Sequence, residues 1–359
     1  MGRVTVRVPG HHYPVLVGRG ALLELPAFVS ELQAPAAVVV TDHQVAREWA
    51  EPVVGGLMGV GVRAYPFPVE AGEGAKSLAT LEKVLEFLEE VELDRSGVII
   101  ALGGGTVGDL AAFAAAVWLR GVRCVQVPTT LLAMVDSSVG GKSGVNTART
   151  KNAIGSITQP VGVLADLATL ATLPEEQYQA AFAEAIKYGV AMDAELAARL
   201  ETEAAALLAR REDVLDPVVT RCVELKAAVV AADERETGRR ALLNYGHTVG
   251  HALESASGYA AIHGRAVAFG MRAAARLAER LGLCDDRLVE RQDRLLEAYS
   301  LPGPLPEVSA ESVLAGLPRD KKSRGGRPRW VLPRELGKAQ FGIPVPDEPV
   351  EEVVRCLLP

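Results

Sequence analysis

Three of the six histidines in this chain fall in one stretch, residues 243–264, which reads LNYGHTVGHALESASGYAAIHG. His247 and His251 are four residues apart, so a helix would put both on one face. His263 follows a Gly-Tyr break and opens a second helical pattern, HGRAVAFGMRAAARLAERLG. Paired histidines on a helix, with a third from a neighbouring element, suit a zinc-like ion. Two core or surface histidines and a helix cap would look the same, and His-x3-His alone does not choose between the readings.

A second set of candidates is glycine-rich. Residues 103–109, GGGTVGD, follow an apolar strand pattern (97–102) and open a helical one. Such a junction offers backbone N–H groups and a helix N-terminus to a pyrophosphate, although a tight turn needing small residues gives the same string. The usual dinucleotide fingerprint belongs to the first strand–helix turn. Here it follows a later strand, so a nucleotide domain is expected, but not an ordinary Rossmann one. Residues 127–146, VPTTLLAMVDSSVGGKSGVN, have little periodicity, and a long irregular segment of that kind is usually functional. Lys142, after Gly140-Gly141, could grip a phosphate with Asn152 as a neutral partner. The Walker spacing is absent. Asp42 ends the buried strand AAVVVT (36–41). It could hold ribose hydroxyls or cap the following helix.

The elements that must position these residues fall into two parts. Strand patterns at 3–8, 14–17, 36–41, 63–69, 97–102 and 123–127 alternate with helical ones at 78–91 and 109–118. That alternation predicts a parallel sheet with crossover helices. Beyond Pro174 the strand signal fades, and 176–211, 216–234, 243–257, 264–281 and 286–299 read as helices. A basic loop at 319–329 leads to a small strand at 330–332 and a last helix near 348–357. We therefore expect an α/β Rossmann-like domain over 1–175 and a mainly α-helical domain over 176–359, with ligand bound in the cleft between them.

Bulk properties narrow the class. Over 359 residues the chain is 49% hydrophobic and 23% charged, an ordinary globular composition. A net charge of −7 argues against a general nucleic-acid binder. No apolar run approaches the roughly 20 residues that span a membrane, and the N-terminus lacks a signal-peptide core. Four scattered cysteines without C-x-x-C fit a reducing cytoplasm.

With these residues in view, the chain closely resembles 3-dehydroquinate synthase of the sugar-phosphate cyclase superfamily. The resemblance is carried by GGGTVGDLAAFAAAVWLRG, VPTTLLAMVDSSVGGKSGVN followed by Lys151-Asn152, AEAIKYG (183–189), ELK (224–226), ETGRRALLNYGHTVGHALE (236–254), HGRAVAFGM (263–271) and RDKKSRGG (319–326). It implies a dehydroquinate synthase-like fold, NAD and one divalent metal (zinc or cobalt) as cofactors, and a homodimer. The implied reaction converts 3-deoxy-D-arabino-heptulosonate 7-phosphate to 3-dehydroquinate and phosphate, the second shikimate-pathway step. Transient oxidation by NAD, β-elimination, re-reduction and an intramolecular aldol closure make up the sequence.

The resemblance also implies the site. Glu184, His247 and His263 are the metal ligands, and Lys187 contacts substrate. Without it, Glu184 and Lys187 read as a surface i,i+3 ion pair. Lys142, Asn152, Asn244, His251 and one of Lys321 and Lys322 surround the phosphate. Lys226 and Arg240 lie near the carboxylate, Asp136 and Glu236 bond hydroxyls or orient neighbours, and Arg120 reaches the phosphate in the partner subunit. For NAD the implied residues are Asp42, Glu73 and Lys76 at the adenosine end, then Gly104, Gly105, Thr106, Val107, Gly108 and Asp109 at the pyrophosphate and nicotinamide ribose. Thr129, Thr130, Lys142, Lys151, Thr169 and Thr172 complete the pocket. Asp42 disfavours a 2′-phosphate and hence NADP.

Three competing readings remain in view. Sister cyclases of the 2-deoxy-scyllo-inosose or valiolone type act on substrates without the carboxylate that Arg240 and Lys226 would meet. A metal-dependent polyol dehydrogenase would need no phosphate pocket. A non-catalytic NAD-binding regulator would not need every chemical position filled. The basic loop at 319–329 also reads as a solvated charge run or a nucleic-acid patch, although its tie to glycines and the acidic balance elsewhere favour phosphate.

Overall fold

Runs of β-branched residues set the first half of the chain. The computed structural model describes residues 1–147, 150–236, 238–317 and 328–358. Contacts divide them into two units: Met1–Leu173 with Val219–Glu234, and Pro174–Val218 with the rest of the chain from Arg235. The inclusion of 219–234 in the first unit has no counterpart in the sequence pattern. It is the second part of one continuous helix, Glu212–Ala232.

The first unit is built on seven strands: β1 (Gly2–Val8), β2 (His11–Val17), β3 (Ala36–Asp42), β4 (Arg63–Val69), β5 (Val98–Gly103), β6 (Arg123–Pro128) and β9 (Gly162–Ala165). Their order is β1-β2-β9-β6-β5-β3-β4. β1 pairs antiparallel with β2, and every other pairing is parallel. Side chains alternate along each strand. Val38, Val40 and Ile99 enter one core with Leu81, Val84 and Leu110. Val39, Ile100 and Leu102 enter another with Leu25, Val29 and Leu57. Both faces are covered, which explains why these strands read as unbroken apolar runs.

Sheet order places the ligand edge. From β3 the chain moves outward to β4, then returns to the other side of β3 for β5. The carboxyl ends of β3 and β5 therefore flank a topological switch point, where open α/β sheets bind ligands. Thr41 is in register with Leu102, so Asp42 and the glycine loop leave the sheet side by side. This explains why the loop follows a later strand than the usual fingerprint. A short antiparallel pair joins β7 (Lys142–Val145), at the end of the segment of little periodicity, to β8 (Ile154–Ile157) beyond it.

The second unit is mainly helical, as expected, with some boundaries moved. The pattern at 176–211 is three helices, Glu175–Met192, Ala194–Thr202 and Ala204–Leu208. Asp193 makes the first break: it is extended (φ −151°), and its carboxylate accepts the N–H groups of Glu195 and Leu196 as an N-cap. The pattern at 243–257 is a 3-10 turn, Arg239–Asn244, followed by the helix His247–Ala256. Gly246, left-handed at φ 79°, separates them. Next come His263–Arg280 and Asp286–Ala298. The small strand at 330–332 extends to β10 (Trp330–Glu335), paired with β11 (Lys338–Ile343). β11 is mostly exposed and mixed in polarity, so no apolar run announces it. Among the described residues no helix is long and apolar enough to cross a membrane.

Candidate active site

Three helices of the second unit converge their polar side chains on one point. Glu184 lies in the Glu175–Met192 helix, within AEAIKYG, a run that is buried throughout. Its Oε1 is 3.3 Å from His263 Nε2 and 3.6 Å from His247 Nε2. One donor atom from each of the three lies within 4.8 Å of the other two. Two imidazole nitrogens and one carboxylate oxygen make a donor set that fits a divalent ion with positions left open. His247 opens its helix and His263 opens the next, so both rings sit where a chain turn ends.

Missing side chains let the helices approach. A Cβ on Gly264 would overlap the Ala180 carbonyl oxygen, one turn before Glu184. A Cβ on Gly270 would overlap the Gly246 carbonyl oxygen, next to His247. Tyr245, fully buried, donates its hydroxyl proton to Gln292, whose amide donates to the Met271 carbonyl at 3.0 Å. That ties the segment before His247 to the helix that carries His263.

The electrostatics ask for a cation. Glu184 is 0% exposed and Lys187 is 1% exposed, and the Lys187 ammonium pairs with Glu184 Oε2 one turn away. The pair is thus no surface ion pair, and burying it is costly unless each charge is well partnered. Burial holds His247 well below the usual imidazole range, with Lys187 reinforcing the effect against Glu184. Burial also pulls His263 down, but hydrogen bonds to Glu184 and Glu254 outweigh it and lift His263 to about 10. Two buried carboxylates therefore call for positive charge at this ring, which a proton or a divalent ion can supply. His251 is exposed, with its ring 5.1 Å from that of His247, and it is not one of the three converging donors.

A separate cluster stands in the first unit. Asp42 caps the turn after β3, accepting the N–H groups of Gln44 and Val45 at 2.9 Å each. The helix Gly105–Val117 starts beyond β5 with no side-chain cap, so its first N–H groups are available to an anion. Thr106 in that turn donates to Glu73 at 3.5 Å, Val107 is buried, and Gly108 bonds back to the Gly104 carbonyl. Lys76, 4% exposed, donates to Asp109 and to Asn152, both at 2.5 Å. Burial raises the Asp109 carboxyl, and Lys76 opposes the rise. Lys76, Asp109 and Asn152 thus form one network, although the sequence reading assigned Asn152 to phosphate and the other two to NAD.

The remaining candidates divide by surroundings. Thr130 accepts the Ala133 N–H, Thr169 donates to the Asp166 carbonyl, and Thr172 donates to the Thr169 carbonyl. Thr129 is buried beside the Gly103 carbonyl, which its N–H meets. Lys151 is half-buried, and Lys142 opens β7, exposed. Lys226 pairs with Asp136 at 2.8 Å, and Asn244 donates to Glu236 at 2.9 Å. Arg240 is buried in the 3-10 turn. Arg120, Asn152 and Glu236 hold positive φ angles of 66°, 49° and 58°. Lys321 and Lys322 lie outside the described residues.

Two residues enter these clusters that the sequence reading missed. Glu254, on the same helix as His247, meets His263 Nδ1. Asn146 donates to Glu73 at 2.8 Å and accepts the Asn152 N–H at 2.8 Å. Spacing could have flagged Glu254, because His247, His251 and Glu254 lie at i, i+4 and i+7.

Comparison with known proteins gives this architecture a family. The profile described as 3-dehydroquinate synthase N-terminal matches residues 66–180, and that described as 3-dehydroquinate synthase C-terminal matches 181–323. A solved 2-epi-5-epi-valiolone synthase from Streptomyces hygroscopicus subsp. jinggangensis 5008, with NAD+ and Zn2+ bound, is 28% identical. It superposes with a TM-score of 0.88 over 96% of each chain. A 3-dehydroquinate synthase from Desulforamulus reducens is 44% identical over 95% of this chain and 96% of its own. The 3-dehydroquinate synthase of Gloeobacter violaceus is 43% identical over 99% of both chains, and at that identity and coverage the chain belongs to the 3-dehydroquinate synthase family.

Proposed function

We infer that the chain converts 3-deoxy-D-arabino-heptulosonate 7-phosphate to 3-dehydroquinate and phosphate, with NAD and one divalent metal as cofactors. The observation that carries this reading is the buried Glu184 carboxylate with two imidazole nitrogens 3.3 and 3.6 Å away, in a chain of this family. Glu184, His247 and His263 would hold the ion. When bound, the ion acidifies a secondary alcohol and polarises a ketone, and NAD takes up and returns the hydride.

This chain's own residues do the rest. Asp42, Glu73 and Lys76 grip the adenosine end of NAD. The N–H groups of Gly104, Gly105, Thr106 and Val107 meet its pyrophosphate, with Gly108 keeping the turn narrow and Asp109 beside it. Thr129, Thr130, Lys151, Thr169 and Thr172 line the pocket. Lys142, Asn152, Asn244 and His251 bind the phosphate and favour its departure, and His251 is placed to pass a proton because it stands apart from the ion's three donors. Lys226 and Arg240 meet the substrate carboxylate, a charge-assisted contact that sister-cyclase substrates cannot make. Asp136 holds Lys226 in place, and Glu236 does the same for Asn244. Lys187 neutralises Glu184 on the side away from the histidines and reaches substrate. The active form is a cytoplasmic homodimer in which Arg120 reaches the phosphate bound by the partner subunit, with no nucleic-acid or membrane partner.

The test is direct. Metal-loaded protein with the heptulosonate phosphate and catalytic NAD should release phosphate and form dehydroquinate in equal amounts, with no lasting NADH. Stoichiometric NADH from a phosphate-free polyol would overturn the assignment in favour of a dehydrogenase. Turnover of a carboxylate-free sugar phosphate at a higher kcat/KM would favour a sister cyclase.

A further inference from the structure

The two histidines at the metal site are held by different partners. His247 Nδ1 faces the Tyr245 carbonyl oxygen at 3.1 Å, and His263 Nδ1 faces Glu254 Oε2 at 3.4 Å. Both Nε2 atoms face Glu184. A neutral imidazole carries one N–H, and the nitrogen that carries it is set by what accepts it. A carbonyl oxygen and a carboxylate oxygen can only accept. With an ion at the shared point taking both Nε2 lone pairs, each ring carries its proton on Nδ1, where these oxygens accept it.

Glu254 is a costly residue to keep here. It is 2% exposed, on the inner face of the His247–Ala256 helix, and a buried carboxylate must be compensated. Its chain carbonyl already closes the helix, accepting the Tyr259 N–H and the Ser257 hydroxyl. The side chain is not needed for that turn. That side chain meets the far side of a ligand ring, at His263 Nδ1. Carboxylates in that position fix the tautomer of a metal-bound histidine and make it more basic.

We propose that Glu254 is a positioning residue for the metal centre, acting on the ion through His263; this rests on reading Glu184, His247 and His263 as the ligands. The two rings then differ in kind. The backbone acceptor of His247 is fixed whatever side chain stands at position 245, whereas the acceptor of His263 carries a charge and can be removed by one substitution. Glu254 sets how tightly the ion is held.

Full-length protein, stripped with a chelator, would be titrated with Zn2+ against a competing chelating dye and with Co2+ while its visible absorption is followed. Glu254→Ala should weaken Zn2+ binding by about 10–100-fold and alter the Co2+ spectrum. Glu254→Gln is nearly isosteric, and its amide oxygen can still accept from Nδ1, so it should recover part of that loss. Thermal melts of the metal-free proteins report folding. If Glu254→Ala does not fold, the Gln variant decides, with an expected loss of several-fold. Equal affinity and an unchanged spectrum in both variants, while His247→Ala loses the metal, would overturn the role of Glu254 and leave the ligand set standing. Unchanged Zn2+ binding in His247→Ala would overturn the ligand reading itself.

Discussion

The two polar clusters of this molecule are held by opposite means. In the second unit, Glu184, His247 and His263 stand on three helices brought together by glycine contacts, and the carboxylate is wholly buried. In the first unit, Glu73, Lys76, Asn146 and Asn152 stand on turns and loops beyond the sheet, tied to one another by side-chain hydrogen bonds. An ion needs donors fixed within fractions of an ångström, and helices in a packed core supply that. A dinucleotide is long and is gripped at many points. A sheet edge with a helix N-terminus and loops can therefore serve it, each contact contributing little. The cluster on the helices should fail all at once, and the one beyond the sheet by degrees.

The sharpest break should come from Glu184→Ala or His247→Ala. Each removes a donor outright, so metal affinity should fall by more than the roughly 10–100-fold cost of losing an outer partner, and turnover should fall with it. Equilibrium dialysis and the phosphate-release assay check both, and retention of one metal per chain would count against the ligand assignment. Lys187→Met comes next. It strips a buried carboxylate of its fixed cation, and breaking such a pair typically costs about 3–5 kcal/mol. A bound divalent ion would supply part of the missing charge. Zn2+ should therefore raise the Tm of Lys187→Met by more than it raises the Tm of the wild type, and an equal rise would show that ion and lysine do not share Glu184.

How much of this was legible in the residues follows the same division. The parallel sheet was visible because β3 and β5 are buried on both faces, and each writes an apolar run. The histidines were visible as a rare residue type at helical spacing. Glu184 was not visible from spacing: an acid three residues before a lysine looks like a surface pair, and only the resemblance moved it inward. Its burial follows from the neighbouring Ala, Ile and Tyr residues, whose all-round apolar pattern marks a helix enclosed by others. Glu254 shares the face of His247 and His251 at i+7, a weak signal that gains meaning only when its partner ring on the next helix is placed. β7 and β8 were missed because four-residue strands containing Lys, Ser and Gly show no alternation. The network around Lys76 joins residues up to 76 positions apart in sequence, a distance no local pattern spans.

His251→Ala sharpens the comparison at the edge of the metal cluster. Its ring is 6.3 Å from that of His263 and exposed, so the variant should keep its metal and its fold. What it should lose is phosphate elimination, about 10²–10⁴-fold in kcat if the ring moves a proton in that step. Metal loss comparable to that of His247→Ala would make it a ligand after all.

The smallest effect, and the one that tests the graded failure of the cluster beyond the sheet, is expected at Asp42. Its carboxylate already serves as an N-cap for Gln44 and Val45. Replacing a cap by alanine costs about 0.5–2 kcal/mol, so Asp42→Ala would lower Tm whether or not the residue also meets NAD. Asp42→Ser separates the two roles. A serine hydroxyl still caps, and Tm should stay close to the wild-type value, whereas the lost charge-assisted bonds to a ribose, about 1.5–3 kcal/mol, should weaken NAD binding roughly tenfold or more. Calorimetric titration with NAD and with NADP checks this, and the serine variant should also discriminate less against the 2′-phosphate. If NAD affinity is unchanged in Asp42→Ser, the residue is a cap alone, and the adenosine end is held by Glu73 and Lys76 without it.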